Sequence, residues 1–191
     1  ILAVYGGAYS NPKLEERLNA TVEKLVAASE RPDLHYKVTI LNSPAVNAFA
    51  LPTGQLYVTR GLLALANDTS EVASVLSHEM AHVIARHAAI REDQIRQAAL
   101  VNRVASDVLG DPQTSALALA KSKIALATFS RGQEFEADGI GVGISSRAGF
   151  DPYGATRFLT SMGRNADLRA GAKTDPRTQE FLSSHPATPE R

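Results

Sequence analysis

A helix that carries Ser77-His78-Glu79-Met80-Ala81-His82 is the central feature of this sequence. The surrounding segment, residues 71–89, has the dense apolar spacing of a largely buried helix. Residues four apart lie on one face of a helix, so His78 and His82 can share one metal ion. Glu79 projects about 100° away from His78, where its carboxylate can reach a water on that ion without binding the ion. This pattern predicts a zinc site that activates water for hydrolysis.

Two histidines are not enough to hold a catalytic zinc ion, which normally has three protein ligands and one open position. Acidic candidates for the third ligand lie in a Glu-Phe-Glu-Ala-Asp segment that begins at Glu134. On a helix Glu134 and Asp138 share a face, whereas Glu136 points about 200° away. We therefore predict Glu134 as the third ligand. Asp138, one turn further on, is predicted to accept the second ring N–H of His78 or His82.

The remaining histidines are His35, His87 and His185. His87 follows His82 by five residues, so on a continuous helix it lies on a different face. We predict that His87 faces solvent or the carbonyl end of the helix, where a histidine is favoured. His35 is predicted to lie in a surface loop.

The composition restricts the class of protein. The 191 residues suit one domain with its own core, and we predict a single zinc metallopeptidase domain over residues 1–191. Twenty basic and twenty acidic side chains cancel, so no general field attracts nucleic acid or an anionic membrane. The absence of Cys excludes disulfides, thiol catalysis and Cys-ligated zinc. We expect polypeptide substrates, no nucleic-acid partner and a monomer.

No segment of the sequence predicts a transmembrane helix. The longest apolar stretch, residues 115–129, is interrupted by Lys121 and Lys123 and is too short to cross a bilayer. The first residue is Ile1 rather than Met, so we expect that the chain has been processed or shortened at its ends. A lost leader would favour an exported protein in the periplasm or cell envelope.

The order of apolar spacings predicts an α+β fold of mostly helices with one small sheet. Helices are predicted over residues 13–29, 60–66, 71–89, 91–109, 113–129, 134–146 and 153–162. Strands are predicted over residues 36–41, 46–51 and 55–59. The turn Pro52-Thr53-Gly54 joins the last two strands as a hairpin, and the first strand is predicted to complete an antiparallel sheet.

The motifs together resemble those of the HtpX-like and CAAX-prenyl-protease (Ste24-type) zinc metallopeptidases. The matching segments are residues 47–54, 78–82, 130–138, 148–152 and 184–191. Within the hairpin, Thr53 stands where Gly is commoner in that family. The chain is most similar to the soluble, periplasmic branch (BepA-like), because the membrane helices of the wider family are absent from this sequence.

The resemblance implies a gluzincin fold, in which a helix with two histidine ligands faces a second helix with a glutamate ligand. It implies that His78, His82 and Glu134 hold one Zn²⁺ ion and that Glu79 is the catalytic base. It also implies that an edge strand of the sheet lines the cleft and binds the substrate through Asn47, Ala48, Phe49 and Ala50. An edge strand can bind any extended peptide through its unpaired main-chain groups, although the same strand can equally be a plain structural hairpin.

Relatives in this family bring the histidine that matches His185 close to zinc. Two roles are then open for His185, a fourth ligand that blocks the metal or a donor to the oxyanion. A third interpretation is a tail histidine without a role. Arg191 is a second candidate for offsetting the charge on the oxyanion.

We therefore expect a zinc-dependent endopeptidase that hydrolyses peptide bonds of unfolded or misassembled proteins with Glu79 as general base. The alternative from another class is a non-hydrolytic quality-control protein that binds unfolded clients and has a His185-capped zinc ion. Peptide deformylase shares the His-Glu-x-x-His pattern, but its Cys ligand cannot exist in this chain.

Overall fold

The computed structural model describes residues 1–109 and 129–169 together with Phe181 and His185. The helix predicted over residues 113–129 falls outside this description except for Phe129. The described helices are α1 Pro12–Ala27, α2 Arg60–Leu65, α3 Thr69–Ile84, α4 His87–Leu109, α5 Arg131–Arg147 and α6 Gly154–Arg169. The strands are β1 Lys37–Leu41, β2 Ala48–Ala50 and β3 Gln55–Thr59. The α+β prediction is confirmed.

The three strands form a mixed sheet in the order β1-β3-β2. β1 runs parallel to β3, with Lys37 opposite Gln55, whereas β2 runs antiparallel to β3, with Phe49 opposite Tyr57. The prediction of an all-antiparallel sheet is therefore wrong for β1. β3 has four buried side chains and β2 has one, in keeping with a central position for β3. After β1 the chain crosses to the opposite edge of the sheet and forms β2 there. The hairpin then places β3 between β1 and β2, running in the same direction as β1.

Amphipathic helices cover the sheet and surround α3. In α1, Asn11 caps the helix by accepting from the Leu14 N–H, and Leu18, Val22 and Leu25 face the core. Asp68 caps α3 in the same way by accepting from the Glu71 N–H. In the ranges that the structure describes, every helix is too short or too polar to span a membrane.

Helix α3 is packed most closely against α5. At Gly141 of α5 an added Cβ would lie 3.0 Å from the His78 main-chain nitrogen and 3.2 Å from the Ser77 carbonyl carbon. Any side chain at this position would therefore press on the backbone of α3. The bare main chain of Gly141 lets the two helices approach, and this brings the acidic residues of α5 within reach of the histidines.

The segment predicted as one helix over residues 71–89 is broken. Helix α3 ends at Ile84 and α4 begins at His87. Between them Arg86 has a φ of 56°, in the left-handed region that interrupts a right-handed helix. The prediction of a continuous helix through residue 89 is wrong for this reason, and the break redirects the side chain of His87.

Candidate metal centre

Four buried side chains meet at one point: His78 and His82 from α3, Glu134 from the first turn of α5, and His185. The Nε2 atoms of His78 and His82 are 3.0 Å apart. Glu134 Oε1 lies 3.4 Å from His82 Nε2, and Glu134 Oε2 lies 3.7 Å from His78 Nε2. The structure thus brings together the three residues that the sequence predicted as ligands.

These separations suit four donors around a single ion. Donors at the usual zinc distances and at tetrahedral angles lie about 3.3 Å from one another. The fourth donor is His185 Nδ1, which lies 3.3 Å from His78 Nε2 and 2.9 Å from Glu134 Oε1. Three imidazoles and one carboxylate form a donor set typical of zinc rather than of calcium or magnesium. The residues therefore fit a metal ion.

The protonation states of His82 and Glu134 are those that a metal requires. Burial lowers the pKa of His82 to about 3, so its ring is neutral at neutral pH. Burial alone would raise the pKa of Glu134, but hydrogen bonds from His185 and His82 hold that pKa well below its usual range. Neutral imidazoles and an ionised carboxylate are the forms in which these groups bind metals.

Asp138 lies behind His78, one turn after Glu134 on α5. Its Oδ1 is 2.9 Å from His78 Nδ1. An N–H at Nδ1 that donates to this carboxylate leaves the lone pair of Nε2 directed at the centre. Of the two histidines that the sequence offered to Asp138, His78 is the one whose ring nitrogen lies at this distance.

Glu79 lies beside the four donors, between α3 and strand β2. Its Oε2 accepts a hydrogen bond from the Ala50 N–H at 3.3 Å, and its Oε1 is 3.4 Å from His185 Nε2. Burial raises the pKa of the Glu79 carboxyl above its usual value. The Ala50 N–H therefore connects this acid directly to the strand that was predicted to hold substrate.

His185 fills the space between the ligands and Glu79. Its ring stacks on Phe181, with the two centroids 4.3 Å apart, and Phe181 in turn donates its main-chain N–H to the Val46 carbonyl. With Nδ1 directed at Glu134 and Nε2 directed at Glu79, the ring has the geometry of a fourth donor. Arg191 lies outside the described residues.

His87 is a residue of this centre that sequence reasoning missed. It is only 1% exposed, so the prediction that it faces solvent or the end of the helix is wrong. Its Nδ1 lies 2.9 Å from His82 Nδ1, and its Nε2 lies 3.2 Å from Glu136 Oε2. The predicted surface position of His35 agrees with its exposure.

A cleft of about 690 Å³ opens beside Glu79 and His185 and is lined in part by Asn47, Phe49 and Ala50. The main chains of Asn47 and Leu51 pair with β3. Because antiparallel pairing alternates, the main-chain groups of Ala48 and Ala50 face the opposite side, where no described strand pairs with β2. The Ala48 side chain is buried, whereas Phe49 contributes its ring to the cleft.

Comparison with known proteins agrees with the motifs. The sequence pattern of peptidase family M48 matches residues 12–191. The chain is 31% identical over 186 residues to the beta-barrel assembly-enhancing protease of Escherichia coli strain K12, a match that covers 93% of this chain and 37% of that protein. It is 33% identical over 170 residues to the mitochondrial metalloendopeptidase OMA1 of Arabidopsis thaliana, covering 86% of this chain and 32% of the relative.

A third relative, the mitochondrial metalloendopeptidase OMA1 of Schizosaccharomyces pombe, is 31% identical over 174 residues, with 91% of this chain and 50% of the relative covered. The chain thus spans between about a third and a half of the length of these relatives. The predicted resemblance to the BepA-like branch is confirmed. With a family pattern that extends over all but its first 11 residues, this chain belongs to peptidase family M48.

Proposed function

We propose that this chain is a zinc-dependent metalloendopeptidase domain that hydrolyses peptide bonds of unfolded or misassembled proteins. The observation that carries the proposal is the convergence of His78, His82 and Glu134 at zinc-like separations, with the buried acid Glu79 beside them. Membership of peptidase family M48 supports the same activity.

In this proposal His78, His82 and Glu134 hold one Zn²⁺ ion. When bound, zinc supplies Lewis-acid activation of water and of the peptide carbonyl. Glu79 takes a proton from the attacking water and later gives it to the leaving amine. Its raised pKa suits this role, because a base must hold the proton for part of the cycle and then release it. Asp138 keeps His78 in the tautomer that presents Nε2.

The proposed substrate site is the outer edge of β2. The main-chain groups of Ala48 and the carbonyl of Ala50, whose N–H donates to Glu79, would pair with an extended peptide in the manner of an added strand. Such pairing needs only an extended backbone, which unfolded chains offer and folded domains rarely do. This supports unfolded polypeptides as the substrate class, and Phe49 and Asn47 line the adjoining cleft.

Removal of metal tests the proposal. Treatment of the purified chain with a chelator is expected to reduce hydrolysis of a quenched casein substrate to below about 1% of the untreated rate, since the chemistry requires the ion. Addition of one equivalent of Zn²⁺ should restore it. Far-UV circular dichroism before and after chelation verifies that the fold persists. Unchanged hydrolysis by protein shown by metal analysis to lack zinc would refute a metallopeptidase.

A second candidate function is a non-hydrolytic binder of unfolded proteins. It is favoured by one observation, the seating of His185 Nδ1 at the fourth donor position, 3.3 Å from His78 Nε2 and 2.9 Å from Glu134 Oε1. A permanent fourth ligand would close the position that a catalytic zinc ion keeps open. The β2 edge would still be able to bind clients.

The variant His185→Ala separates these functions. If His185 caps the centre for more than about 90% of the time, its removal should raise peptide hydrolysis about tenfold or more. If the ring instead donates to the oxyanion, the rate should fall about 10²–10³-fold. A variant that binds unfolded casein and zinc like the parent, and hydrolyses nothing, would favour the binder. The exposed His35→Ala is the matched control and should behave as the parent.

The proposal also includes a periplasmic or cell-envelope location, a monomeric state and one peptidase domain over residues 1–191. Its support is the resemblance to the periplasmic branch of the family. Fractionation of the source cells and light scattering of the purified chain test the location and the oligomeric state.

A further inference from the structure

A chain of contacts leads from the surface of the molecule to the back of His82. Glu136 is more than half exposed on α5, and its Oε2 lies 3.2 Å from Nε2 of the buried His87. His87 Nδ1 lies 2.9 Å from His82 Nδ1. Three side chains from three different helices thus form a continuous line that ends at a ring of the candidate metal centre.

When His82 binds a metal ion, only one placement of the ring protons allows both hydrogen bonds, from His82 to His87 and from His87 to Glu136. His82 Nε2 faces His78 and Glu134, so its lone pair must be available there and its proton must be on Nδ1. That Nδ1–H can donate only if His87 Nδ1 accepts. His87 then carries its own proton on Nε2 and donates it to the Glu136 carboxylate.

We infer that His87, supported by Glu136, is a positioning residue that fixes the tautomer and the orientation of His82 at the metal centre. The inference rests on the proposed zinc site. It makes the two histidines of α3 different on the side away from the metal. Nδ1 of His78 reaches the Asp138 carboxylate directly at 2.9 Å, whereas Nδ1 of His82 is connected to the Glu136 carboxylate through the ring of His87. A partner of this kind raises the basicity of a ligand and restricts its ring.

A merely structural role for His87 makes a different prediction. The ring packs 5.0 Å from the His82 ring and 6.2 Å from the Phe129 ring, measured between centroids. If packing were its only contribution, Phe at position 87 would serve as well, because it fills the space without accepting a hydrogen bond. Asn would fill less space, but its side-chain oxygen can take the place of Nδ1 as the acceptor.

Zinc affinity, measured on the whole chain by competition with a chromophoric chelator, distinguishes these roles. His87→Phe is expected to weaken zinc binding about 10–100-fold, as removal of an outer partner does elsewhere. His87→Asn should recover most of that loss. Cobalt substitution gives a spectroscopic test, because a rotated or loosened His82 should change the visible absorption of bound Co²⁺ in His87→Phe but not in His87→Asn.

Glu136 supplies a test that does not depend on the packing of a buried ring. Glu136→Ala is expected to weaken zinc binding severalfold. The matched variant Glu92→Ala removes a similarly exposed acid that pairs with Arg96 on the surface of α4, and it should leave zinc binding unchanged. In a His87→Phe background the effect of Glu136→Ala should disappear, because the connection to His82 is already lost.

The outcomes separate this inference from the proposed function. Zinc binding by His87→Phe that equals the parent would overturn the inference and leave the metal site intact. If His87→Phe does not fold, an unchanged zinc affinity in Glu136→Ala would overturn it equally. A parent chain that binds no zinc would instead refute the proposed function, on which the inference depends.

Discussion

Replacement of Glu79 by Gln is expected to lower peptide hydrolysis about 10²–10⁴-fold and to leave zinc bound. Gln has nearly the same shape as Glu, and its side-chain oxygen can still accept the Ala50 N–H that Glu79 Oε2 accepts at 3.3 Å. An amide cannot take up a proton, however, so the contribution of a general base is lost. The measurements are the steady-state rate on a quenched peptide and the zinc content of the purified variant.

The matched control for this variant is Glu23→Gln, which makes the same change on the exposed side of α1. It should retain the parent rate. Hydrolysis of casein by Glu79→Gln at the parent rate would show that the base is another group. Loss of zinc from Glu79→Gln would show that Glu79 acts as a ligand rather than as the base.

His82→Ala is expected to lose both zinc and hydrolysis. His82 Nε2 lies 3.0 Å from His78 Nε2 and 3.4 Å from Glu134 Oε1. Its removal takes away one of the predicted metal ligands. The binding free energy of a four-ligand zinc site, about 10–16 kcal/mol, divides into roughly 3 kcal/mol for each ligand. We therefore expect zinc affinity to fall about a hundredfold or more, as measured by chelator competition.

His35→Ala is the control here too, since it removes an exposed imidazole from a loop. Because His82 is buried, thermal unfolding of both variants without metal should accompany the titration. A His82→Ala chain that keeps the parent affinity would show that other residues hold the ion.

The core of the candidate centre could be predicted because it depends on local geometry. Helical spacing alone places His78 and His82 on one face and Glu79 beside them. Glu134 followed from the number of ligands that zinc requires, and Asp138 followed from its position one turn later. The structure brings these residues together within a few ångströms.

The parts that could not be predicted depend on contacts distant in sequence. The direction of β1 is decided by the path of its connection across the sheet, which strand alternation does not encode. The break between α3 and α4 has no local signal, because the residue in the left-handed conformation is Arg86 rather than Gly. His87 could not be assigned for the same reason, since its contacts form only after the break redirects it and α5 supplies Glu136.

The contact at Gly141 has a consequence for how this scaffold tolerates change. The spacing between the two ligand-bearing helices is fixed where main chain meets main chain, with the absent Cβ only 3.0 Å from the His78 nitrogen. A contact between main chains cannot adjust to a larger residue, whereas side chains at an interface can adopt new rotamers. Substitutions in the cleft that change specificity should therefore leave the spacing of α3 and α5 intact, provided that Gly141 is retained.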